Sequence, residues 1–358
     1  MRLFFDARYI RTDFHDGISR YTAELGNALA RHTPVTFIIS DPAQLKFLPD
    51  NAEHVVIHPV TSAKEPTTAI VLNKFRPDVV VSPLQTMGSV GRRFKLVLTL
   101  HDLTYYKHRT PPPQYNQLLR LLWRAYHISY WPQRLTLDMA DMIATVSETS
   151  RQEIIEAKLT KRPVIVVSNA ARDLSELLDG PIVQKDTPPK NLVYMGAFLP
   201  YKNAETLIQS LAYITPRRTL HLLSRIKPAR KAELQRLVPE GSNVVFHGGV
   251  SDEQYAQLLA DDAIMVSASK AEGYGLPLAE ALVLGVPAVV SNLDIFHEVA
   301  GEGALFADPD SPQDFAAKIA SLDDKKYREQ LAAAGKKHIG LFSWDNSAKI
   351  LLDAIKSL

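Results

Sequence analysis

The fold is decided by the stretch Ser267–Ser291, SASKAEGYGLPLAEALVLGVPAVVS. Its pattern indicates a buried strand end, a glycine-containing loop, a short helix and a second strand. Glycines on both sides of Tyr274 let the loop backbone approach a ligand closely. Free N–H groups at the helix start, with the positive end of its dipole, form a site for phosphate. Glu272 and Glu280 lie eight residues apart across the loop and helix. The stretch therefore predicts a ligand with phosphates at one end and hydroxyls at the other, such as a nucleotide sugar.

Strand and helix patterns alternate on both sides of this stretch. Short apolar runs predict strands at Arg2–Asp6, Val35–Ser40, His54–His58, Val79–Ser82, Lys95–His101, Met142–Ser147, Val164–Ser168, Leu192–Gly196, Thr219–Ser224, Asn243–His247, Ala263–Ser267 and Pro287–Ser291. Pro111–Asp138 is predicted to be mostly helical, and capping-box spacing predicts helix starts near Ser150 and Ser251. Such alternation predicts an α/β fold with doubly wound parallel sheets covered by helices on both faces.

Polar residues and turn formers at 172–190 divide the pattern into two sets. The prediction is an N-terminal Rossmann-like, acceptor-binding domain at 1–171, a linker at 172–190 and a C-terminal Rossmann-like, nucleotide-sugar-binding domain at 191–341. A final helix at 342–358 is expected to pack back on the N-terminal domain. Doubly wound domains bind ligands at the carboxyl ends of their strands, here expected in the cleft between the two domains.

Composition limits the classes of function. A length of 358 residues suits two domains, and a formal net charge of +2 gives no reason to expect a nucleic-acid partner. The absence of cysteine excludes disulfides and thiolate metal sites. Asp6 and Arg8 interrupt the first apolar run, and no uncharged stretch reaches the roughly 20 residues that span a bilayer. The expected location is the cytoplasm, at most peripheral on the inner face of the cell membrane.

Six motifs occur in order along the chain: DGISRYTAEL at Asp16–Leu25, HDL at His101–Leu103, ATVSETS at Ala144–Ser150, GAFLPYKN at Gly196–Asn203, FHGGVSDEQYAQLL at Phe246–Leu259 and EGYGLPLAE at Glu272–Glu280. Together they resemble the family-4 retaining glycosyltransferases, which have the GT-B fold of two facing Rossmann-like domains. The resemblance covers nearly the whole chain and is nearest to bacterial mannosyltransferases of cell-envelope polysaccharides. It implies transfer of a hexose to a glycan or glycolipid, with GDP-mannose preferred as donor over UDP-glucose or UDP-N-acetylglucosamine.

The resemblance also implies roles for particular residues. Glu272 would grip sugar hydroxyls, Glu280 would bind the ribose diol, and Lys202 is the candidate cation for the diphosphate. His101, at the end of an apolar strand, would stabilise the developing sugar cation, although such a histidine can also be a hydrogen-bonded core residue. The remaining donor-binding candidates are Gly17, Arg225, Gly248, Val250, Gly273, Tyr274, Gly275 and Leu276. With no evident carboxylate nucleophile, front-face return is favoured over a covalent intermediate.

One position departs from the family pattern. Many relatives carry an arginine five residues before the motif lysine, where this chain has Ala197. Arg225 either replaces that arginine or is a solvated loop charge. One alternative is a non-catalytic glycan- or lipid-binding relative, in which Ala197 marks a decayed site. The other is a nucleotide-sugar epimerase or hydrolase of the same fold, which needs no acceptor.

No cofactor and no metal are expected. Asp308-Pro309-Asp310 imitates the Asp-x-Asp metal signature of another glycosyltransferase fold, but its position before the terminal helices indicates turn chemistry. A glycine-rich loop followed by Lys-Ser/Thr is absent, which argues against a P-loop enzyme.

A basic, aromatic stretch from Arg92 to Arg134 forms a second candidate site. The residues predicted to share one helical face or to flank it are Arg120, Trp123, Arg124, His127, Trp131 and Arg134. A basic amphipathic helix of this kind suits an anionic membrane surface or a lipid-linked phosphate acceptor. An ordinary helix with a solvated charged face is the alternative.

Overall fold

Two units, each built on its own parallel sheet, make up the chain. The structure, a computed structural model, describes residues 1–13, 16–111, 116–180, 182 and 185–358. The first unit comprises Met1–Asn169 and Phe342–Leu358, and the second comprises Ala170–Leu341.

The first unit contains a seven-stranded sheet with the strand order β3-β2-β1-β4-β5-β6-β7. Its elements are β1 (Leu3–Asp6), α1 (Gly17–His32), β2 (Val35–Ile39), β3 (His54–Val56), α2 (Thr68–Leu72), β4 (Val79–Ser82), β5 (Lys95–Thr99), α3 (Thr104–Lys107), α4 (Gln117–Tyr126), α5 (Trp131–Asp138), β6 (Met142–Thr145), α6 (Glu148–Glu156) and β7 (Val164–Val166). All pairs are parallel, and every residue of β1, β4 and β6 is buried, as expected where helices cover both faces of a sheet. The strand order reverses between β1 and β4.

The second unit repeats this plan with the strand order β10-β9-β8-β11-β12-β13. Its elements are β8 (Asn191–Tyr194), α7 (Ala204–Ser210), β9 (Thr219–Leu222), α8 (Pro228–Gln235), β10 (Asn243–Phe246), α9 (Asp252–Ala260), β11 (Ala263–Ser267), α10 (Leu276–Leu284), β12 (Ala288–Ser291), α11 (Asp294–Ala300), β13 (Leu305–Ala307), α12 (Pro312–Ser321) and α13 (Lys325–Ile339). All strands are again parallel, and the order reverses between β8 and β11. The predicted α/β class with two doubly wound sheets is confirmed.

The last helix, α14 (Trp344–Lys356), belongs to the first unit. It packs on α1, where Arg31 Nη2 lies 2.7 Å from Asp345 Oδ1, and Ser347 Oγ donates to the carbonyl of Ser168 at 2.7 Å. Its apolar face includes Leu351, which is completely buried. The chain therefore returns to complete the core of the unit in which it began.

The segment predicted as a linker lies within the second unit. Asp173 accepts a hydrogen bond from Ser175 N at 2.9 Å and caps a 3-10 helix, Leu174–Leu177, which packs on α9 and α10. An ion pair joins Arg172 to Asp252. Residues 181, 183 and 184 of the predicted linker lie outside the described residues.

Two predicted helix starts have different outcomes. The capping box at Ser251 is confirmed, since Ser251 Oγ accepts from Gln254 N at 3.2 Å and Gln254 Oε1 accepts from Ser251 N at 3.0 Å. The other helix does begin near Ser150, at Glu148, but the predicted cap is wrong, because Ser147 caps the helix and its hydroxyl accepts from Ser150 N at 3.0 Å. Ser147 follows β6 within two residues, so the helix begins as soon as the strand has ended.

The predicted single basic face on α4 and α5 is also corrected. The residues between Tyr126 and Trp131 separate the two helices, and Arg134 Nε and Nη2 donate to the carbonyls of Lys158 and Ala157, each at 2.8 Å. Arg134 therefore fixes the end of α6 instead of extending the basic face of α4. Residues 112–115 of the predicted helical stretch lie outside the described residues.

Candidate active site

The carboxyl ends of β8 and β11 flank the point where the strand order of the second sheet reverses. Open α/β sheets bind ligands at such a switch point. Lys202 ends a 3-10 turn, Pro200–Lys202, shortly after β8, and Glu272 lies in the loop that joins β11 to α10. The topology thus brings together two residues that are 70 positions apart in the sequence.

Lys202 and Glu272 form an ion pair at this point. Lys202 Nζ lies 2.5 Å from Glu272 Oε1, and the two side chains are 17% and 15% exposed. Ser269 Oγ donates to the same carboxylate oxygen at 2.7 Å. A half-buried cation and acid, held in place by a neighbouring hydroxyl, are preorganised for a ligand that needs both.

Hydrogen bonds fix the two loops that carry this pair. Lys270 N donates to the carbonyl of Tyr201 at 2.8 Å, which ties the loop after β11 to the turn after β8. Asn203 has a left-handed backbone with φ +52°, and its amide donates to the carbonyl of Pro309 at 2.6 Å. Lys202 is therefore held on a turn supported from both sides.

Helix α10 begins at Leu276 without a side-chain cap. The residue before it, Gly275, has φ +95°, and a Cβ there would lie 2.7 Å from Phe296 Cε1. Only glycine fits this position, and the N–H groups of the first turn need partners other than a capping side chain.

Tyr274 is buried, and burial raises the pKa of its phenol. Glu280, on the same helix, is 5% exposed, so Glu272 is the more accessible of the two acids.

The loop after β10 contacts the loop after β9. Gly248 and Gly249 have φ +74° and +116°, and a Cβ on Gly249 would lie 3.0 Å from Arg225 Cγ. Arg225 itself is exposed, and Val250 is half-buried. Ala197 is exposed after β8, and its carbonyl accepts a hydrogen bond from the Tyr194 hydroxyl at 3.0 Å. Both loops lie at the same edge of the sheet as Lys202 and Glu272. The contact between Gly249 and Arg225 is, however, separate from the Lys202–Glu272 ion pair.

In the first unit, His101 follows β5 and is held by neighbours. Its Nε2 donates to the carbonyl of Pro83 at 2.8 Å, and the ring lies edge-on to Tyr21 with centroids 4.8 Å apart. Trp344 of α14 packs on the other side of Tyr21 at 5.7 Å. Burial lowers the pKa of His101, although the Pro83 carbonyl and the charge of Asp102 oppose this effect. The ring is therefore a neutral, Nε2-protonated imidazole at pH 7.

Asp102 and Gly17 lie at helix starts. Asp102 Oδ1 accepts from Thr104 N at 2.8 Å and so caps the turn that follows. Gly17 is the exposed first residue of α1, and Asp16 caps that helix by accepting from Ser19 N at 2.9 Å. This geometry fits both the predicted ligand contact and an ordinary helix start.

A buried charge network that the sequence did not predict lies at the carboxyl end of β1. Arg8 lies between two carboxylates, with Nη2 2.8 Å from Asp6 Oδ2 and Nη1 2.7 Å from Glu65 Oε2. Burial opposes the charge of Arg8, but Asp6 and Glu65 outweigh that effect and raise its pKa. His58 extends the network, with Nε2 3.3 Å from Glu65 Oε2. The spacing Asp-x-Arg was visible, but the glutamate 57 residues away carried no signal.

No group of three or more His, Asp or Glu side chains suited to a metal ion occurs in the described part of the chain. Asp308, in the Asp-Pro-Asp element, closes a turn in which its Oδ1 accepts from Asp310 N at 2.9 Å. Asp310 pairs with Lys270. The interpretation of this element as turn chemistry is therefore confirmed.

Helix α4 forms an exposed apolar and basic surface in the first unit. None of its residues is buried. Its leucines and nearby apolar residues are at least 47% exposed: Leu118, Leu119, Leu121, Leu122, Ile128 and Trp131. Arg120 and Arg124 lie among these leucines, whereas Trp123 stacks on His127 with ring centroids 3.9 Å apart. Among the described helices, none has the length and apolar character needed to cross a bilayer.

Comparisons with known proteins cover both units. Residues 15–172 match the family described as Glycosyltransferase Family 4, and residues 179–338 match the family described as Glycosyl transferases group 1. O-antigen chain mannosyltransferase B of Escherichia coli is 32% identical over 282 residues, which are 74% of this chain and 71% of that protein. Serotype-specific mannosyltransferase WbdA of Escherichia coli is 24% identical over 87% of this chain, and the match spans only 40% of that protein. The Anabaena HepE structure in complex with UDP and glucose has a TM-score of 0.72 at 18% identity and matches the full length of both chains.

Proposed function

The chain belongs to the family-4 glycosyltransferases, and from this premise we propose that it transfers mannose from GDP-mannose to a hydroxyl of a growing cell-envelope polysaccharide, with retention. Membership follows from its 32% identity with an O-antigen mannosyltransferase, 71% of which is covered, so the resemblance found in the sequence is confirmed. The chain is a glycosyltransferase of polysaccharide synthesis, and the names of its relatives support mannose as the sugar. The observation that carries the proposal is the contact between Lys202 and Glu272 at the switch point of the second sheet.

We propose that the second unit holds the donor. Departure of the diphosphate builds negative charge, which preorganised donors stabilise. Lys202 and the N–H groups at the start of α10, from Tyr274 to Leu276, supply those donors. Glu272 accepts hydrogen bonds from sugar hydroxyls, and Glu280 binds the ribose diol. The glycine loops at Gly273–Gly275 and Gly248–Val250 let the backbone approach the nucleotide, and Arg225 takes the place of the clamp that is missing at Ala197.

For the first unit we propose that His101 acts beside the reacting sugar and Gly17 beside the diphosphate or the acceptor. Because the pKa of His101 is lowered by burial, its ring is neutral and cannot serve as a strong acid at pH 7. It can stabilise a developing sugar cation by the dipole of its ring or of its carbonyl. We favour front-face return, in which the departing diphosphate accepts the proton of the attacking hydroxyl.

A donor screen followed by a transfer assay tests the function. We expect GDP-mannose to raise the melting temperature more than UDP-glucose or UDP-N-acetylglucosamine does. We also expect mannose transfer to a lipid-linked glycan in the presence of EDTA, since no metal enters the proposal. Stronger binding of a UDP sugar would identify that UDP sugar, and not GDP-mannose, as the donor. Consumption of GDP-mannose without acceptor would indicate an epimerase or hydrolase. Binding of none of the three would leave only a non-catalytic relative.

A second observation leads us to propose that the α4 surface contacts the anionic inner face of the cell membrane. Between Asp102 and Asp138 the chain carries five lysines and arginines and no acidic residue. The leucines of α4 are exposed beside Arg120 and Arg124, and Trp131 is 64% exposed. Apolar side chains with interleaved positive charges suit an anionic bilayer surface, which takes up the leucines and attracts the arginines.

Vesicle co-sedimentation tests this contact. We expect Leu121→Ser with Leu122→Ser to lower partitioning onto vesicles of phosphatidylcholine and phosphatidylglycerol by about tenfold, because two apolar side chains lose their burial. Ile70→Ser with Leu341→Ser is the matched control, since these residues are 49% and 69% exposed outside α4. Equal loss in both variants, or none in the α4 variant, would refute the membrane contact.

A further inference from the structure

A cavity of about 250 Å³ lies in the first unit, outside the candidate active site, between the end of α6 and the start of β7. Its polar lining consists of Arg151, Lys158, Thr160, Lys161 and Arg162. No acidic residue lines it. It is smaller than the roughly 300–1,000 Å³ of pockets that enclose a drug-sized ligand, so it suits a small anionic group.

The two guanidinium groups of the pocket are anchored. Arg162 Nε and Nη2 donate to the carbonyl of Asp138 at 3.0 and 2.7 Å. Arg151 Nη1 lies 2.6 Å from Glu148 Oε1, and its Nε donates to the carbonyl of Val164 at 3.3 Å. These contacts hold both guanidinium groups in place at the pocket, and Glu148 offsets part of the charge of Arg151.

Among the residues that the structure describes, the two lysines of the pocket, unlike the arginines, are not anchored by side-chain contacts. In the described part of the chain, neither Lys158 Nζ nor Lys161 Nζ has a hydrogen bond or an ion pair. The nearby carboxylate of Asp138 is already used, because its Oδ1 accepts from Thr160 Oγ1 at 2.7 Å and from Lys161 N at 2.9 Å. Two ammonium groups are thus available to an anion.

The backbone at Lys158 is held in an uncommon conformation. Its φ is +48°, a left-handed value that favours glycine or asparagine over lysine. Arg134 Nε donates to the Lys158 carbonyl at 2.8 Å, and Lys158 N donates to the carbonyl of Ile155 at 2.9 Å. A long cationic side chain therefore stands on a rigid turn where glycine would be less strained.

We propose that this pocket binds a phosphate group, carried by an anionic phospholipid at the membrane surface. Ammonium and guanidinium groups bind phosphate through charge-assisted hydrogen bonds. Ile155, which lines the pocket, is 46% exposed. Arg134 donates to the carbonyl of Lys158 and so links the pocket to α5, on which Trp131 and Leu135 are 64% and 50% exposed. The source of the phosphate rests on the membrane contact proposed above, whereas recognition of the phosphate itself does not.

Two variants with the same loss of charge test the proposal. Lys158→Gln with Lys161→Gln removes the two ammonium groups of the pocket. Lys74→Gln with Lys349→Gln removes two exposed lysines elsewhere in the first unit. Partitioning onto phosphatidylcholine vesicles with and without phosphatidic acid is measured for both, together with glycerol phosphate binding by calorimetry. We expect the pocket variant to bind the anionic vesicles about 30-fold more weakly and the control to change less than threefold.

The outcomes of these measurements distinguish a phospholipid from a soluble phosphate as the ligand of the pocket. Equal losses in the pocket and control variants would show that only general charge matters, and would overturn the site. Loss of glycerol phosphate binding with unchanged vesicle binding would assign the pocket to a soluble phosphate and overturn the lipid source. Lys158→Gly guards against misfolding, because it removes the ammonium group while relieving the left-handed backbone. We expect this variant to melt no lower than the wild type and to bind the anionic vesicles about fivefold more weakly.

Discussion

Lys202 and Glu272 neutralise one another in their ion pair. Each has a proposed partner in the donor, the diphosphate for the lysine and the sugar hydroxyls for the acid. Donor binding must therefore exchange one internal ion pair for two contacts with the ligand. Ser269 Oγ donates to Glu272 Oε1, and we expect this hydrogen bond to persist in the donor complex because Ser269 has no other part in the proposed chemistry.

This exchange predicts different behaviour for the two residues. Lys202→Met should weaken the binding of both GDP and GDP-mannose by about 10- to 100-fold, the range for one lost charge-assisted hydrogen bond. Glu272→Gln should lower mannose transfer by about 100-fold while GDP binds no more weakly, because Lys202 loses its internal counter-ion. Calorimetry and a transfer assay measure the two effects. Lys270→Met, on the same loop but paired with Asp310, is the control and should change neither.

His101 predicts a pH dependence of stability. Its pKa is lowered in the folded protein, so the unfolded chain binds the extra proton first as the pH falls below about 6.5. The neutral ring therefore stabilises the fold at pH 7, and this contribution is lost towards pH 5. His101→Gln should make the decline in unfolding free energy between pH 7 and pH 5 shallower by up to about 2 kcal/mol, as measured by chemical denaturation. The wild-type protein, measured in the same buffers, gives the reference slope.

At the scale of elements, the sequence predicts strands and helix caps well where the interacting residues lie close together in the sequence. The capping box at Ser251 was predictable because both of its partners lie within one turn. Ser147 and Ser150 offered two similar caps, and only the end of β6 decides between them. The contact of Lys202 with Glu272 depends on the order of the strands, which no local pattern encodes.

Helix α14 shows how one element completes a unit. Leu351 is fully buried in the face packed on α1, whereas the adjacent Ile350 is 41% exposed. Leu351→Ala should lower the unfolding free energy by about 3 kcal/mol, because it removes buried apolar atoms and leaves a cavity. Ile350→Ala should cost less than about 1 kcal/mol. Denaturant titration of both variants checks the difference, and equal values would contradict the packing of α14.

At the scale of the whole molecule, two doubly wound sheets could be predicted from the alternation of apolar runs and helical patterns. The motifs assigned candidate functional residues to particular strand ends, and this assignment stays a prediction. The buried network of Asp6, Arg8 and Glu65 could not be found in this way, because charged residues that are far apart in sequence give no pattern of periodicity. The basic pocket at the end of α6 was missed for a different reason. Its lining residues lie close together in the sequence, from Arg151 to Val164, but no periodic pattern shows that the loop between α6 and β7 encloses a cavity.

The separation of these sites predicts that two ligands protect different parts of the molecule. GDP-mannose should slow backbone hydrogen exchange in the loops after β8 and β11 and in the first turn of α10, because the proposed donors there become engaged. Anionic vesicles should instead slow exchange in α4, in α5 and at Lys158–Arg162. Mass spectrometry of peptides from each region measures both patterns, and phosphatidylcholine vesicles without anionic lipid serve as the control. If GDP-mannose protected only α4 and α5, or vesicles protected the loops after β8 and β11, the assignment of the donor to the second unit and of the membrane to the first would be wrong.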